Sequence, residues 1–151
     1  MRNSCALSKP KPQFVYAHYL LPHDPYIYDS TGNLKPVENT IIYAEEKQPA
    51  AFIEQVKFAN KIILQLVTHI KKANKPNTVI IIEGDHGFRN IEGEKGIMIY
   101  DSFSSFYFPN NNYTELYPTI SPVNSFRVVL NNFFDANLSL LKDSSIFIPY
   151  T

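Results

Sequence analysis

The chain has 151 residues, the size of one ordinary domain, and 44% of them are hydrophobic, which is enough for a packed core. Lysine plus arginine and aspartate plus glutamate both number 14, so no net charge indicates a nucleic-acid or membrane-surface partner. The single cysteine, Cys5, excludes an internal disulfide, and no apolar stretch approaches the ~20 residues that span a bilayer. We therefore expect neither a nucleic-acid partner nor a membrane segment within this sequence.

Two proline-rich stretches mark the first part of the chain. Residues 1–12 contain Lys-Pro-Lys-Pro and are predicted to be a flexible lead-in. Gln13–Leu21, rich in Phe, Val, Tyr and Leu, is predicted to be a strand that contains His18. Two prolines then flank His23 and Asp24, and because proline restricts the backbone, these side chains are predicted to project from a stiff turn at the end of the strand.

A long amphipathic helix is predicted from about Pro49 to Asn74, where apolar residues recur at three- and four-residue steps. The apolar run that begins at Thr78 follows it and ends in Asp85 and His86. Such a run is typical of a strand buried on both faces, in the interior of a largely parallel sheet. A strand, crossover helix and parallel strand would bring both strand ends to one edge, where His23 would share a crevice with Asp85 and His86.

Asp85 and His86 offer a carboxylate oxygen and an imidazole nitrogen, which together suit a divalent cation. Taken alone, the pair has a plainer interpretation, in which Asp85 caps the next element and His86 is an ordinary loop histidine. Both interpretations stay open at this point.

The second half of the chain has shorter elements. Ile97–Tyr100 and Phe103–Phe108 are predicted to be short strands at a sheet edge. Ser121 followed by a proline predicts a helix start, and the helix is expected to run to Phe134. The remaining apolar residues, including Ile146, are predicted to dock on the core.

Three pieces of this sequence carry a family resemblance: Phe14–Tyr26, Ile80–Arg89 and Ile120–Arg127. With the intervening helix and strand, the chain resembles the carboxyl-terminal half of the alkaline phosphatase and sulfatase superfamily. Its nearest likeness is to the bacterial sulfatase-like hydrolases and transferases that include lipoteichoic acid synthase. The resemblance implies an α/β fold, part of an α/β/α sandwich with a mostly parallel sheet, formed by a single domain over residues 13–151.

The resemblance also implies roles for three residues. Asp85 and His86 correspond to ligands of the catalytic divalent metal, which is Mn, Zn, Mg or Ca. His23 corresponds to a histidine that contacts the oxygens of the transferred phosphoryl or sulfuryl group. The implied substrate is thus a phosphate or sulfate ester.

Other polar residues are interpreted as structural or solvated. A hydrogen bond within a strand accounts for His18, and surface solvation accounts for His69, Arg89 and Lys95. Arg127 is interpreted as structural as well. Asn124, on the same predicted helix, is left open.

In this superfamily the nucleophile and an acidic metal ligand precede the region that the chain resembles, and Cys5 lacks the sequence setting of a sulfatase nucleophile. We therefore expect a carboxyl-terminal portion of an enzyme that is inactive alone and binds metal weakly, with a missing amino-terminal part or partner chain. The alternative is a non-catalytic module that binds a partner chain or an anionic glycan; a structural, metal-independent role for Asp85 and His86 is third. By resemblance, the intact protein is membrane-anchored or extracytoplasmic.

Overall fold

A computed structural model describes residues 12–39, 48–73, 76–89 and 99–146. The contacts divide the chain into two compact units, residues 1–75 and 76–151. The prediction of a single domain over 13–151 stays a prediction, and the lead-in 1–12 lies outside the described residues except for Pro12.

The first unit is built on helix α1, Gln48–Lys72. It confirms the predicted helix within two residues at either end, because a three- and four-residue apolar repeat forms one face of an α-helix. A turn-rich segment packs against it through two aromatic pairs: Tyr26 lies edge-on to Phe52, with ring centres 6.0 Å apart, and Tyr28 lies 5.0 Å from Phe58. A short 3₁₀ helix, Val37–Asn39, follows.

The prediction of a strand over Gln13–Leu21 is wrong for this structure. Residues 12–20 have no regular secondary structure, and side chains such as Phe14 and Leu20 are 78% and 75% exposed. A high β propensity identifies residues that fit a pleated surface, but a strand also needs a neighbouring strand to pair with. In the described part of the chain, no strand forms a β-ladder with this segment.

The second unit contains strand β1, Ile80–Glu83, strand β2, Ser104–Tyr107, and helix α2, Pro122–Phe134. In the described part of the chain, β1 and β2 form a two-stranded antiparallel sheet in which Ile80 pairs with Tyr107 and Glu83 with Ser104. This pairing corrects the expectation of a parallel neighbour. All four β1 residues are only partly buried, which also corrects the expectation of a strand covered on both faces.

The core of the second unit lies between the sheet and α2. Phe108, Val128 and Val129 are buried, and partly buried apolar residues surround them: Val79, Ile81, Phe106, Leu116, Ile120 and Phe133. The Phe108 side chain is 0% exposed and stacks on Tyr113 with ring centres 5.1 Å apart. The predicted second helix and the strand within Phe103–Phe108 are thus confirmed. Of the strand predicted at Ile97–Tyr100, the first two residues lie outside the described ones, and Ile99 and Tyr100 have a 3₁₀-helical conformation instead of a strand.

The carboxyl-terminal tail differs from its prediction. Residues 135–146 have no regular secondary structure, and Leu140, Leu141 and Ile146 are 41%, 47% and 78% exposed. These apolar side chains do not dock on the core as expected. Polar side chains of α2 bind the tail backbone instead, as described below.

Candidate functional site

His23 lies in a tight turn whose two X–Pro peptide bonds, Leu21–Pro22 and Asp24–Pro25, are both cis. The His23 backbone N–H donates to the Leu20 carbonyl at 2.7 Å, which closes the turn. The side chains of His23 and Asp24 are 55% and 60% exposed. The turn therefore presents an imidazole and a carboxylate to solvent, as predicted.

The His23 ring is oriented by the residue that follows it. Its Nδ1 atom lies 2.5 Å from the Asp24 carbonyl oxygen and 2.9 Å from Asp24 Oδ1. Both of these oxygens are acceptors in ionised Asp24, so Nδ1 carries a hydrogen and donates. The other nitrogen, Nε2, is the atom that points away from Asp24 and is available for a ligand.

Gln55 holds this turn on helix α1, and sequence reasoning missed it. Its side chain is 0% exposed, and its Nε2 donates to the carbonyls of Pro22 and His23 at 3.2 and 2.7 Å. Its Oε1 accepts from the Tyr28 backbone N–H at 3.2 Å. A glutamine inside an amphipathic helix gives no signal in a search for charged, nucleophilic or metal-binding residues.

Asp85 and His86 follow β1 directly, and backbone hydrogen bonds fix the chain on both sides of them. Gly84 N–H donates to the Phe103 carbonyl at 2.8 Å, and Gly87 N–H donates to the Ile99 carbonyl at 2.7 Å. The Asp85 side chain is 88% exposed and that of His86 is 24% exposed. The predicted metal site therefore consists of a surface-facing carboxylate beside a partly buried imidazole.

One nitrogen of the His86 imidazole is bonded to the backbone, which leaves the other as the candidate metal ligand. Its Nδ1 lies 2.6 Å from the Gly87 carbonyl oxygen, which accepts a hydrogen bond only, so Nδ1 carries the hydrogen. The lone pair of the neutral ring is then on Nε2, the atom that faces Asp85 Oδ1 at 3.7 Å. A backbone acceptor on the second nitrogen is the usual support of a metal-binding histidine.

The spacing of these two atoms also fits a shared cation. Two ligand atoms about 2.1 Å from one metal lie about 3.4 Å apart at a tetrahedral angle, close to the 3.7 Å between His86 Nε2 and Asp85 Oδ1. In residues 12–39, 48–73, 76–89 and 99–146, however, no group of three His, Cys, Asp or Glu is placed to hold a metal. The pair fits as two ligands of a metal that needs further ligands.

His23 belongs to the first unit, whereas Asp85 and His86 belong to the second. Asp85 and His86 are brought together, as their adjacency requires. The expectation that His23 shares a crevice with them stays a prediction.

The remaining candidates divide into exposed and structural residues. His18, His69 and Arg89 are exposed. Lys95 and Cys5 lie outside the described residues. Arg127 donates from Nη1 to the Ser139 carbonyl at 2.9 Å, in keeping with its structural interpretation.

Asn124, which the sequence left open, is 0% exposed and belongs to a network at the start of α2. The Asp143 carboxylate accepts hydrogen bonds from Ser121 N at 3.0 Å, from Ser121 Oγ, from Tyr117 Oη at 2.5 Å and from Asn124 Nδ2 at 3.0 Å. Hydrogen bonds from the Ser121 hydroxyl and the Tyr117 hydroxyl lower the pKa of Asp143 to about 2. The bond to Asp143 raises the pKa of Tyr117 above its usual value.

This network replaces the predicted helix cap. Ser121 does occupy the N-cap position in an extended conformation, but its side chain makes no capping hydrogen bond to the helix. The Asp143 carboxylate lies at this helix start through its bonds to Ser121, and negative charge is favourable near a helix amino terminus. The network is therefore structural, and it ties the tail to α2.

Comparison with known proteins agrees with the resemblance at the level of the superfamily. The family described as Sulfatase matches residues 5–130, which is well over half of the chain. This match defines an α/β protein of the alkaline phosphatase and sulfatase superfamily. The chain belongs to the Sulfatase family.

Comparison with curated proteins and with solved structures produced no match. None of the helices in the described residues is long and apolar enough to cross a membrane. The functional assignment therefore rests on family membership and is made at the level of the superfamily.

Proposed function

We propose that this chain is the carboxyl-terminal portion of a metal-dependent phosphoryl or sulfuryl hydrolase or transferase, and that Asp85 and His86 hold its divalent metal. The observation that carries the proposal is the His86 ring: Gly87 fixes its Nδ1–H, which leaves the Nε2 lone pair facing Asp85 Oδ1. Membership of the Sulfatase family supports it independently. The complete fold in this proposal is an α/β/α sandwich with a mostly parallel sheet, in which β1 gains a further neighbour.

When bound, the metal would act as a Lewis acid on the ester group and lower the pKa of the attacking oxygen. The residues of this chain would do the rest of the binding. Protonated His23 would donate from Nε2 to a non-bridging oxygen of the substrate, because Asp24 already occupies Nδ1. The nucleophile and the remaining metal ligands would come from a segment outside the three motifs, so turnover by these residues alone is not expected.

Manganese binding tests the metal site directly. Paramagnetic Mn²⁺ added to the 151-residue chain should broaden the NMR signals of His86 and Gly87, and the Asp85→Asn variant should require at least tenfold more metal for the same broadening. His69, an exposed histidine elsewhere in the chain, is the internal control. If Asp85→Asn broadens at the same Mn²⁺ concentration as the wild type, Asp85 is not a ligand.

A second candidate is a non-catalytic module that retains the fold and binds a partner chain or an anionic glycan. Within the described residues Asp85 and His86 are two candidate ligands, where catalytic zinc sites have three, and this count favours the module. An assay on aryl phosphate and aryl sulfate with the intact reading frame separates the two. Metal-dependent turnover that Asp85→Asn abolishes supports the enzyme, and retained metal binding without turnover on any ester supports the module.

A further inference from the structure

Gln55 is a buried polar residue of the first unit, and it contacts the candidate site residue His23. Its side chain is 0% exposed, and every hydrogen-bonding group of its amide is used. The two N–H groups of Nε2 serve the Pro22 and His23 carbonyls, and Oε1 serves the Tyr28 N–H. One side chain therefore holds the turn on both sides of its exposed tip.

The backbone of the turn makes few hydrogen bonds of its own in the described residues. The bonds from the Gln55 amide are therefore a large share of those that hold it. Its prolines have no N–H to donate. Its backbone-to-backbone bonds in the described residues include His23 N–H to Leu20 O at 2.7 Å and Ile27 N–H to Pro25 O at 2.9 Å. Neither of them uses the His23 carbonyl. The 2.7 Å bond from Gln55 to that carbonyl is the shortest of the three that Gln55 makes.

Gln55 lies on the buried face of α1, and its three bonds to the turn are partly buried. Ala51 and Ala59, one turn before and after it on α1, are 5% and 6% exposed. Their small side chains leave room for the turn backbone beside the helix. Tyr26, which is 6% exposed, packs edge-on to Phe52 of the same helix. Hydrogen bonds shielded from water are stronger, and a buried amide left without partners is costly.

We propose that Gln55 is a positioning residue for His23: it fixes the backbone from which the imidazole is presented to the substrate oxygens. This inference rests on the proposed function, in which His23 contacts a phosphate or sulfate oxyanion. Gln55 touches the His23 carbonyl and not its ring. It sets where the imidazole is held, while Asp24 sets which ring nitrogen is free.

The sharpest variant is Gln55→Glu, which keeps the shape of the side chain and an acceptor for Tyr28 N–H. It lacks the paired N–H donors that serve Pro22 and His23, because an ionised carboxylate only accepts hydrogen bonds and a protonated one has a single O–H to donate. Gln55→Met, of similar length and with no donor, is the second variant if the first does not fold. Gln65→Glu and Gln65→Met, at an exposed glutamine of the same helix, are the matched controls.

Two NMR measurements on the 151-residue chain then test whether Gln55 positions His23. The first is the position and width of the His23 ring signals, which should move in both Gln55 variants and stay in place in the Gln65 controls. The second is titration with inorganic phosphate, in which the dissociation constant read from His23 should rise about tenfold in Gln55→Glu. The His69 signals and the helical circular dichroism should not change.

If Gln55 only stabilised the fold, its variants would give a different set of results, the one expected for Ala59→Gly. This change weakens the same buried face of α1 without removing a hydrogen bond to the turn. It should lower the melting temperature and leave the His23 signals and phosphate affinity unchanged. Folded Gln55 variants that behave like Ala59→Gly overturn the positioning proposal. Wild-type His23 signals that ignore phosphate overturn the oxyanion contact of the proposed function instead, and the ring signals still decide the role of Gln55.

Discussion

Replacing Asn124 by alanine should destabilise the second unit far more than the same change at Asn131. Both asparagines bind the tail through a two-way pairing with one residue: Asn124 with Leu141 N–H and C=O at 2.9 and 2.8 Å, and Asn131 with those of Leu138 at 2.7 and 2.9 Å. They lie seven residues apart on one side of α2. They differ in burial, since Asn124 is 0% exposed and Asn131 is partly exposed.

The magnitude follows from the contacts that each variant loses. Asn124 Nδ2 also lies 2.9 Å from Tyr117 Oη and 3.0 Å from Asp143 Oδ1, so its two hydrogens are shared among three acceptors. Four buried contacts at a net value of about 1 kcal/mol each, less about 0.6 kcal/mol for the better helix propensity of alanine, give a loss of about 3 kcal/mol. At Asn131 water can replace the lost partners, so the loss should be about 0.5–1 kcal/mol.

Urea unfolding, followed by the fluorescence of the tyrosines, measures both variants. With a slope of about 2 kcal/mol/M, Asn124→Ala should lower the midpoint by about 1.5 M and Asn131→Ala by no more than 0.5 M. The propensity gain is common to both variants and cancels in the comparison. Equal losses in the two variants, or a loss below about 1 kcal/mol at Asn124, would refute the view that the buried asparagine fixes the tail.

Three further predictions concern charge, backbone and core. Because the pKa of Asp143 is lowered to about 2, its contribution to stability is present above the unfolded pKa of about 3.9 and is lost as the pH falls towards 2; melting temperatures between pH 5 and 2 should fall more steeply in the wild type than in Asp143→Asn. Gly32→Ala should cost about 1–3 kcal/mol or more, because Gly32 has φ +97° and an added Cβ would lie 2.3 Å from the Phe58 ring. Gly84→Ala is its control in the same urea assay, since its nearest neighbour is 3.7 Å away. Phe108→Ala, at a residue that is 0% exposed, should cost about 3–5 kcal/mol, and a denaturation midpoint near that of the wild type would contradict the assigned core.

Elements with a local cause were predictable from the sequence. The apolar repeat gives both long helices. Asp29, Gly32 and Asn33 are common turn residues, and Asp29 closes a turn through its own side chain, which accepts from the backbone N–H groups of Thr31, Gly32 and Asn33. The bond from the Thr31 hydroxyl, with those from the backbone N–H groups of Asn33 and Thr31, holds the pKa of Asp29 well below its usual range. Helix periodicity and turn chemistry depend on residues a few positions apart, and a sequence pattern contains that information.

Features that depend on distant partners were not predictable in this way. The segment Gln13–Leu21 has strand composition but no strand partner among the described residues, and the Ile80–Glu83 strand gives no sign that its described neighbour runs antiparallel. The attachment of the carboxyl-terminal tail was also predicted wrongly. The leucines of the tail suggested apolar docking, whereas Asn124 and Arg127 bind the tail backbone. The contact between Gln55 and the turn was not predicted either, because a polar residue in an amphipathic pattern is assigned to solvent by default.

The two candidate site segments are held by different means, and this difference has a consequence for mutation. Backbone bonds at Gly84 and Gly87 fix the chain around Asp85 and His86, and most side-chain substitutions nearby leave such bonds intact. The carbonyl of His23 is bound by the side chain of a residue 32 positions away, Gln55. A change at Gln55 therefore removes this bond with no change in the motif that carries the histidine. In any sequence that keeps the turn of His23, Asp24 and Pro25, the residue at the position of Gln55 is thus the first place to look for a change in how the histidine is presented.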